Sequence, residues 1–459
     1  MQRCISVKEM IAPVAGIKKS SGVADPIVLS SGVARLISTI TGPLAALLVI
    51  HFLTLAEQGY WFTFLGIVTM TNYAEMGMGQ VILQFAAHEA GRTSGEVGNQ
   101  LSHDDKRLKS ILRISLIFGG LSALLQFAIA LPLGYLILSS HASGDQQVEW
   151  VGPWVLLCCV APLNLALIFV NSFLEGCQFI VGANLRRALQ AIAQVVVTLL
   201  VFSLGGKLWS LGAGLFASFV AGLVWIALAH GRYLARLMAG FRQNREISWR
   251  LEVWPLQWRY AMTWSTGLFT YGLFNPLIFS LAGAEAAGQF GFSMAVVGVV
   301  LAYSQVWTAS RAAVFAKLNA GADWGELKRL FDRSIKYGLM AYLLGVMGVL
   351  TALYLININL PSLAVRFLDP LATAILLAGG GVNLITFFIT YFVRSFKEEP
   401  FVKLAWAIAA LMLVLLPAGT YLLGTRGAAA AYLISQSAVL PVALRIYHKY
   451  RNRMALEFS

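Results

Sequence analysis

Residues Leu55 to Ala87 read LAEQGYWFTFLGIVTMTNYAEMGMGQVILQFAA, and a degenerate copy lies about half the chain further on. Placing Gly59-Tyr60-Trp61 on Gly288-Gln289-Phe290 superposes a short Ala/Glu/Gly turn and then an apolar helix that ends in a charged loop. Both copies begin in an acidic turn free of Lys and Arg. Both run into a basic segment, Lys106-Arg107-Leu108 in the first half and Lys328-Arg329-Leu330 in the second. Self-similarity at this period predicts two related halves.

Composition sets the solvent. Of the 459 residues 58% are hydrophobic and only 12% charged, with a mean hydropathy of +0.73. A soluble domain carries about a quarter of its residues charged, so the chain reads as an all-α polytopic membrane protein. Apolar segments of roughly 20 residues or more span about 30 Å of hydrocarbon. They fall near 27–53, 60–86, 110–138, 151–174, 185–204, 208–230, 259–283, 289–314, 335–356, 370–394, 401–423 and 427–447, which is twelve spans. The fifth and sixth are separated only by Gly205-Gly206-Lys207.

The net charge of +13 is explained by orientation, because basic residues collect in cytoplasmic connections. With the N-terminus inside, most of the 34 Lys and Arg residues fall in inside segments; Lys207, Arg366 and Arg426 lie outside, and Arg35, Arg113 and Arg311 lie within spans. Both termini are expected in the cytoplasm, residues 1–26 being a retained tail, and no nucleic-acid partner is expected. Six spans per half give both halves the same orientation, so they are parallel repeats about an axis along the membrane normal, an arrangement suited to alternating access. We expect an N-terminal lobe over 1–230, a cytoplasmic linker over 231–258 and a C-terminal lobe over 259–459. The linker places Trp249, Trp254 and Trp258 among Arg245, Arg250 and Arg259. That pattern fits an amphipathic helix lying on the membrane, or a plain basic linker with interfacial tryptophans.

Ionisable groups inside hydrocarbon cost about 2.5 to 3.5 kcal/mol on insertion scales and are the default site candidates. Arg35 in span 1 and Glu75 in span 2 lie at similar depth and form either an anion site or a structural pair. Thr69, Asn72 and Glu75 recur at helical spacing ahead of Gly77 and Gly79. Span 8 offers Ser304, Gln305, Thr308 and Arg311 as its counterpart, with Arg311 either facing a cavity or snorkelling to the interface. Arg394 and Arg113 lie nearer their boundaries. Asn164, Asn171 and Glu175 on span 4, with Gln190 and Gln194 on span 5, add polar groups to the first lobe. Asn275-Pro276 in span 7 and Gly42-Pro43 in span 1 predict kinks at matching points. Cys4, Cys158, Cys159 and Cys177 show no metal spacing. Neither a hydrolase nor a nucleotide motif is present, so no enzyme activity and no cofactor is expected.

At Ala56-Glu57-Gln58-Gly59-Tyr60, Tyr73-Ala74-Glu75-Met76-Gly77-Met78-Gly79 and Gln84-Phe85-Ala86-Ala87 the chain resembles bacterial polysaccharide-biosynthesis flippases. These are the O-antigen and exopolysaccharide repeat-unit translocases of the multidrug/oligosaccharidyl-lipid/polysaccharide (MOP) exporter superfamily. Glu75 stands here where such proteins more often show Asp. The resemblance implies a MATE-like architecture in the inner membrane and an undecaprenyl-pyrophosphate-linked oligosaccharide as substrate, moved from the cytoplasmic to the periplasmic leaflet. It further implies membrane lipids and the polysaccharide polymerase and export machinery as partners, and a cationic cavity to which Arg35, Arg311 and Arg394 are the matching residues. Glu75, Asn72 and Gln305 would complete the substrate site. Two rival readings remain: a cation-coupled multidrug exporter of the same superfamily, which would depend on Glu75, and a non-transporting scaffold in a polysaccharide assembly complex. A major facilitator is disfavoured, because His88 to Lys109 lacks GxxxDRxGRR.

Overall fold

The computed structural model describes residues 37, 41–42, 44–94, 106–140, 148–239, 247–320, 323–396 and 400–456. These are helical, with no strand among them. In chain order the helices are α1 (44–52), then α2 (Leu55–Asn72), α3 (Met78–Ser94), α4 (Lys106–Ser139), α5 (Val151–Gly176), α6 (Ile180–Ser203), α7 (Trp209–Met238) and α8 (Trp254–Gly267). They continue as α9 (Phe274–Ala309), α10 (Ala312–Ala320), α11 (Trp324–Asn359), α12 (Pro370–Arg394) and α13 (Val402–Leu456). Eight of the helices among the described residues are long and apolar enough to cross a membrane. Leu343, Leu344 and Met347 are more than 60% exposed on α11, as side chains facing lipid tails would be.

Local chemistry explains the boundaries. Thr54 and Glu57 form a reciprocal capping box: Thr54 N–H donates to Glu57 Oε2 at 2.8 Å and Glu57 N–H to Thr54 Oγ1 at 3.2 Å. This satisfies two orphan donors and starts α2 at Leu55, ahead of the predicted start at 60. Between α6 and α7 the expected hairpin is real. Gly205 has φ +78°, and the bonds Gly206 N–H to Val201 O (2.8 Å) and Gly205 N–H to Phe202 O (2.9 Å) close a Schellman cap. Two further boundaries fall where spans 7 and 11 are expected to end. Spans 7 and 8 share α9 and bend at Gly283 (φ +88°), while spans 11 and 12 share α13 and bend at Gly424 (φ +58°). A glycine in the left-handed region turns the chain within one residue, so neither turn needs a long polar loop.

Contacts gather the chain into two compact units. The first holds the described residues up to Phe52 together with Ile67–Leu136 and Glu149–Ser265; the second holds Leu53–Gly66, Ile137–Val148 and the described residues from Thr266 on. In the first unit α3, α4, α5 and α7 enclose an apolar core that includes Met78, Ile82, Ile111, Phe169, Phe173 and Ile226. Trp249, expected at a membrane surface, stacks on Phe118 at 5.5 Å. It sits in a wide turn, Trp249–Val253, that runs directly into α8. The arginine of that expected pattern at 245 and the proline at 43 lie outside the described residues.

The second unit is built on a close helix crossing. Gly59 of α2 and Gly288 of α9 lie back to back: a Cβ on Gly288 would sit 2.9 Å from Gly59 N, and one on Gly59 would sit 1.9 Å from Ala284 O. One turn on, a Cβ on Gly291 would sit 2.5 Å from Phe62 Cβ. These are equivalent positions of the two sequence copies, and like meeting like is what a local two-fold relation produces. Fully buried Gln58 fastens the crossing, donating to Gly288 O at 2.9 Å and to Arg366 O at 3.2 Å. Asn275-Pro276, where a kink is expected, lies in the first turn of α9 after a wide turn at Leu268–Gly272, and Gly66 receives its proline ring.

The crossing generates a prediction. Gly59→Ala forces a methyl into a backbone carbonyl and should cost about 3 kcal/mol, the upper end of overpacking penalties. Gly298→Ala meets nothing within 4 Å and should be neutral or stabilising by up to about 1 kcal/mol. Melting midpoints of the two variants in detergent check the contrast.

Candidate functional site

In the first unit the predicted second span is broken where the motif lies. Tyr73–Glu75 tightens into a single 3₁₀ turn, Met76 and Gly77 adopt φ +49° and +68°, and α3 starts afresh at Met78. The buried carboxylate of Glu75 turns back to accept the Gly79 N–H at 3.2 Å. It thereby caps α3 and lies against the positive end of that helix. A continuous span had been expected; the helix breaks because Gly77 permits a left-handed turn and Glu75 supplies the cap. Both glycines are sterically required. A Cβ on Gly77 would meet Tyr260 Cβ at 2.8 Å and Trp264 Cδ1 at 2.9 Å, and one on Gly79 would meet Glu75 Oε1 at 2.4 Å and Ser172 Oγ at 3.1 Å.

Asn72 ends α2 one turn earlier, exposed, and accepts from Gln126 Nε2 at 2.8 Å. The same amide reaches Thr71 Oγ1 at 3.3 Å. Gln126 is fully buried and its Oε1 has no protein partner. Sequence reasoning missed this residue. Its signal was a lone amide in the apolar run Leu121-Ser122-Ala123-Leu124-Leu125-Gln126-Phe127.

Below the break a charged latch joins three elements. Arg107 at the start of α4 donates from Nε to Glu89 of α3 at 3.0 Å and from Nη2 to Glu252 of the Trp249–Val253 turn at 2.8 Å. The Ser248 N–H and then the Arg107 guanidinium hold the Glu252 carboxyl below its ordinary range. Gln84 of α3 adds a bond to Tyr260 OH of α8 at 2.8 Å. Arg35 lies outside the described residues.

In the second unit, half-buried Arg311 occupies the turn between α9 and α10 and donates to Ser334 Oγ of α11 at 2.8 Å. Gln305 is half-buried on α9. Arg394 is exposed in the last turn of α12, where a cation complements the negative helix end. Gln305 lies in the last turns of α9 and Arg311 just beyond its end. Among the described residues no group of three His, Cys, Asp or Glu side chains is placed to hold a metal ion, and the described cysteines are free thiols.

Two predictions follow from the first unit. Glu75→Leu removes the cap and should cost about 1 to 2 kcal/mol, whereas Glu75→Gln keeps an acceptor and should cost about half or less; melting in detergent separates them. The depressed Glu252 carboxyl contributes stability that is complete above the ordinary glutamate range, about pH 4.3, and is lost as pH falls through the lower folded value. Wild type should therefore lose more of its melting midpoint between about pH 5 and 3 than Glu252→Gln does.

No known family's sequence profile matches the chain, and no curated protein matches it in sequence. Solved structures do match in three dimensions. An inward-facing multidrug resistance MATE family transporter of the MOP superfamily superposes with TM-score 0.70 at 14% identity, covering 93% of this chain and 99% of that one. An outward-facing member superposes with TM-score 0.58 at 15% identity, covering 96% and 100%. A MOP superfamily transporter from Pyrococcus furiosus, whose reverse-polarity binding pocket suggests a different function, gives 0.58 at 17% identity, covering 96% and 99%. The chain has the all-helical fold of the MATE transporters of the MOP superfamily.

Proposed function

We propose that the chain is a flippase that moves an undecaprenyl-pyrophosphate-linked oligosaccharide from the cytoplasmic to the periplasmic leaflet of the inner membrane by alternating access. The observation that carries this reading is the commitment of Glu75. A cation-coupled exporter needs a buried carboxylate to bind its coupling ion; here one oxygen of the deep carboxylate of span 2 is engaged in capping α3. Polar groups inside the predicted spans of the second unit include a cation, Arg311, and an amide, Gln305. Arginine suits pyrophosphate through paired charge-assisted hydrogen bonds. Outward movement of an anion runs down an inside-negative potential by about 2.3 kcal/mol per charge per 100 mV, so export needs no dedicated ion site. In this reading Arg35, Arg311 and Arg394 gather the pyrophosphate, Asn72, Glu75 and Gln305 line its path, the lipid tail stays in the bilayer, and both termini and the 231–258 linker between the 1–230 and 259–459 lobes face the cytoplasm. Polymerase and export machinery would take up the product. The reading competes with multidrug export, named for the MATE structures above.

The test is a deletion strain in which cytoplasmic-leaflet lipid-linked oligosaccharide and surface polysaccharide are quantified together. Accumulation of the first with loss of the second, restored by wild type and by Glu75→Gln but reduced roughly tenfold or more by Arg311→Gln at equal protein level, is the expected result. That factor corresponds to losing one charged hydrogen bond of about 1.5 to 3 kcal/mol. Normal glycan with raised sensitivity to cationic drugs, and loss of resistance in Glu75→Gln, would establish the exporter instead.

A further inference from the structure

The first unit holds a second polar centre that the transport reading leaves unused. A small cavity with room for about one water-sized particle lies among α5, α6 and α7, lined by Asn171, Gly182, Arg186, Trp225 and His230. In the sequence Arg186 and Arg187 stand together at the cytoplasmic end of the 185–204 span, but the structure separates them. Arg187 is partly exposed and pairs with Glu175 through Nη2 and with Asn184 Oδ1 at 3.0 Å. Arg186 is 93% buried, its residue retaining 7% of its exposure.

The Arg186 guanidinium has one protein acceptor. Its Nη1 donates to Gln190 Oε1, and Gln190 is held in that orientation because its Nε2 donates to Ser218 O at 3.1 Å. Gly222 makes room for this amide: a Cβ there would lie 2.4 Å from Gln190 Nε2. The Nε of Arg186 and the indole nitrogen of Trp225 are both buried without an acceptor. Buried His230 completes the wall, its ring 4.6 Å from that of Phe179 and its Nε2 abutting Gly182, where a Cβ would sit 3.1 Å away. Arg187 and Glu175 both act on the Arg186 charge with opposite sign, and Glu175 is already engaged by Arg187. Two arginines thus share one carboxylate, and no carboxylate lines the cavity.

A buried cation without a counter-charge is strongly unfavourable, and so is each buried N–H without an acceptor. One small anion among Arg186, Trp225 and the Asn171 amide would answer both demands. A neutral water would answer only the second. We propose that this cavity is a binding site for a single monatomic anion of the size of chloride, which fastens α5, α6 and α7 together. The proposal does not depend on what the protein transports.

The experiment uses the full-length protein in detergent at constant ionic strength, with sodium gluconate exchanged stepwise for sodium chloride or sodium bromide, and reads the melting midpoint. Binding to the folded state alone raises the midpoint in proportion to ln(1 + [L]/Kd), so wild type should show a rise that scales with halide and not with gluconate. Trp225→Phe keeps the ring and removes one donor, and should raise the apparent Kd about tenfold, the effect of losing one hydrogen bond to a charged group. Arg186→Met should abolish the rise. Anomalous diffraction from bromide-soaked crystals should place a peak among these side chains. Equal midpoints in chloride and gluconate, an undiminished halide response in Trp225→Phe, or bromide peaks elsewhere only would overturn the proposal. If Arg186→Met does not fold, the Trp225→Phe titration and the bromide map still decide.

Discussion

The close approach of Gly59 to Gly288 is the contact on which the second unit depends. Between apolar helices surrounded by lipid there is no hydrophobic gain in association, so backbone proximity and buried hydrogen bonds must hold them. Bare glycine at both crossing positions lets Leu55 O and Gly59 N come within the reach of a single atom of α9. That proximity then allows Gln58 to bond across, to Gly288 O and Arg366 O. The capping box at Thr54 and Glu57 fixes where α2 starts and hence which residue meets Gly288. Phe62 against Gly291 repeats the fit one turn along.

The same economy governs charge. With 21 acidic against 34 basic residues, carboxylates are scarce, and several of the described ones are engaged in structure. Glu75 caps α3, Glu89 and Glu252 share Arg107, Glu175 holds Arg187, and Asp369 caps α12 while accepting from Arg426 at 2.9 Å. The cations in excess, Arg311 in one unit and Arg186 in the other, are then the groups with electrostatic capacity for an anion. The latch of Arg107 makes sense in the same terms: it ties α3, α4 and the segment entering α8.

Much of the fold was legible because hydropathy reports on solvent. Long helices match the apolar segments, and Gly205-Gly206-Lys207 forms a hairpin as its glycines require. The repeat was legible too, and its two glycines touch. What stayed hidden was local backbone geometry. The apolar stretch Gly59 to Ala87 predicts one span, and its break depends on a left-handed turn at Met76-Gly77 that hydropathy does not register. For the site, Asn72, Glu75, Gln305 and Arg311 were visible as polar residues in apolar sequence, but Glu75's partner was not, because the cap exists only once the local backbone breaks at Met76-Gly77. Arg186 was hidden for the opposite reason. Beside Arg187 it reads as a boundary charge, and only the packing of α5, α6 and α7 buries it.

The most direct test of the transport account is reconstitution. Purified protein in vesicles carrying a short-chain polyprenyl-pyrophosphate oligosaccharide, with an imposed potential negative on the side where the substrate starts, would be assayed by lectin capture of glycan on the opposite leaflet. The account predicts protein-dependent movement that accelerates with that potential and slows sharply in Arg311→Gln. Absence of movement, alongside extrusion of a cationic dye driven by a proton or sodium gradient, would contradict it.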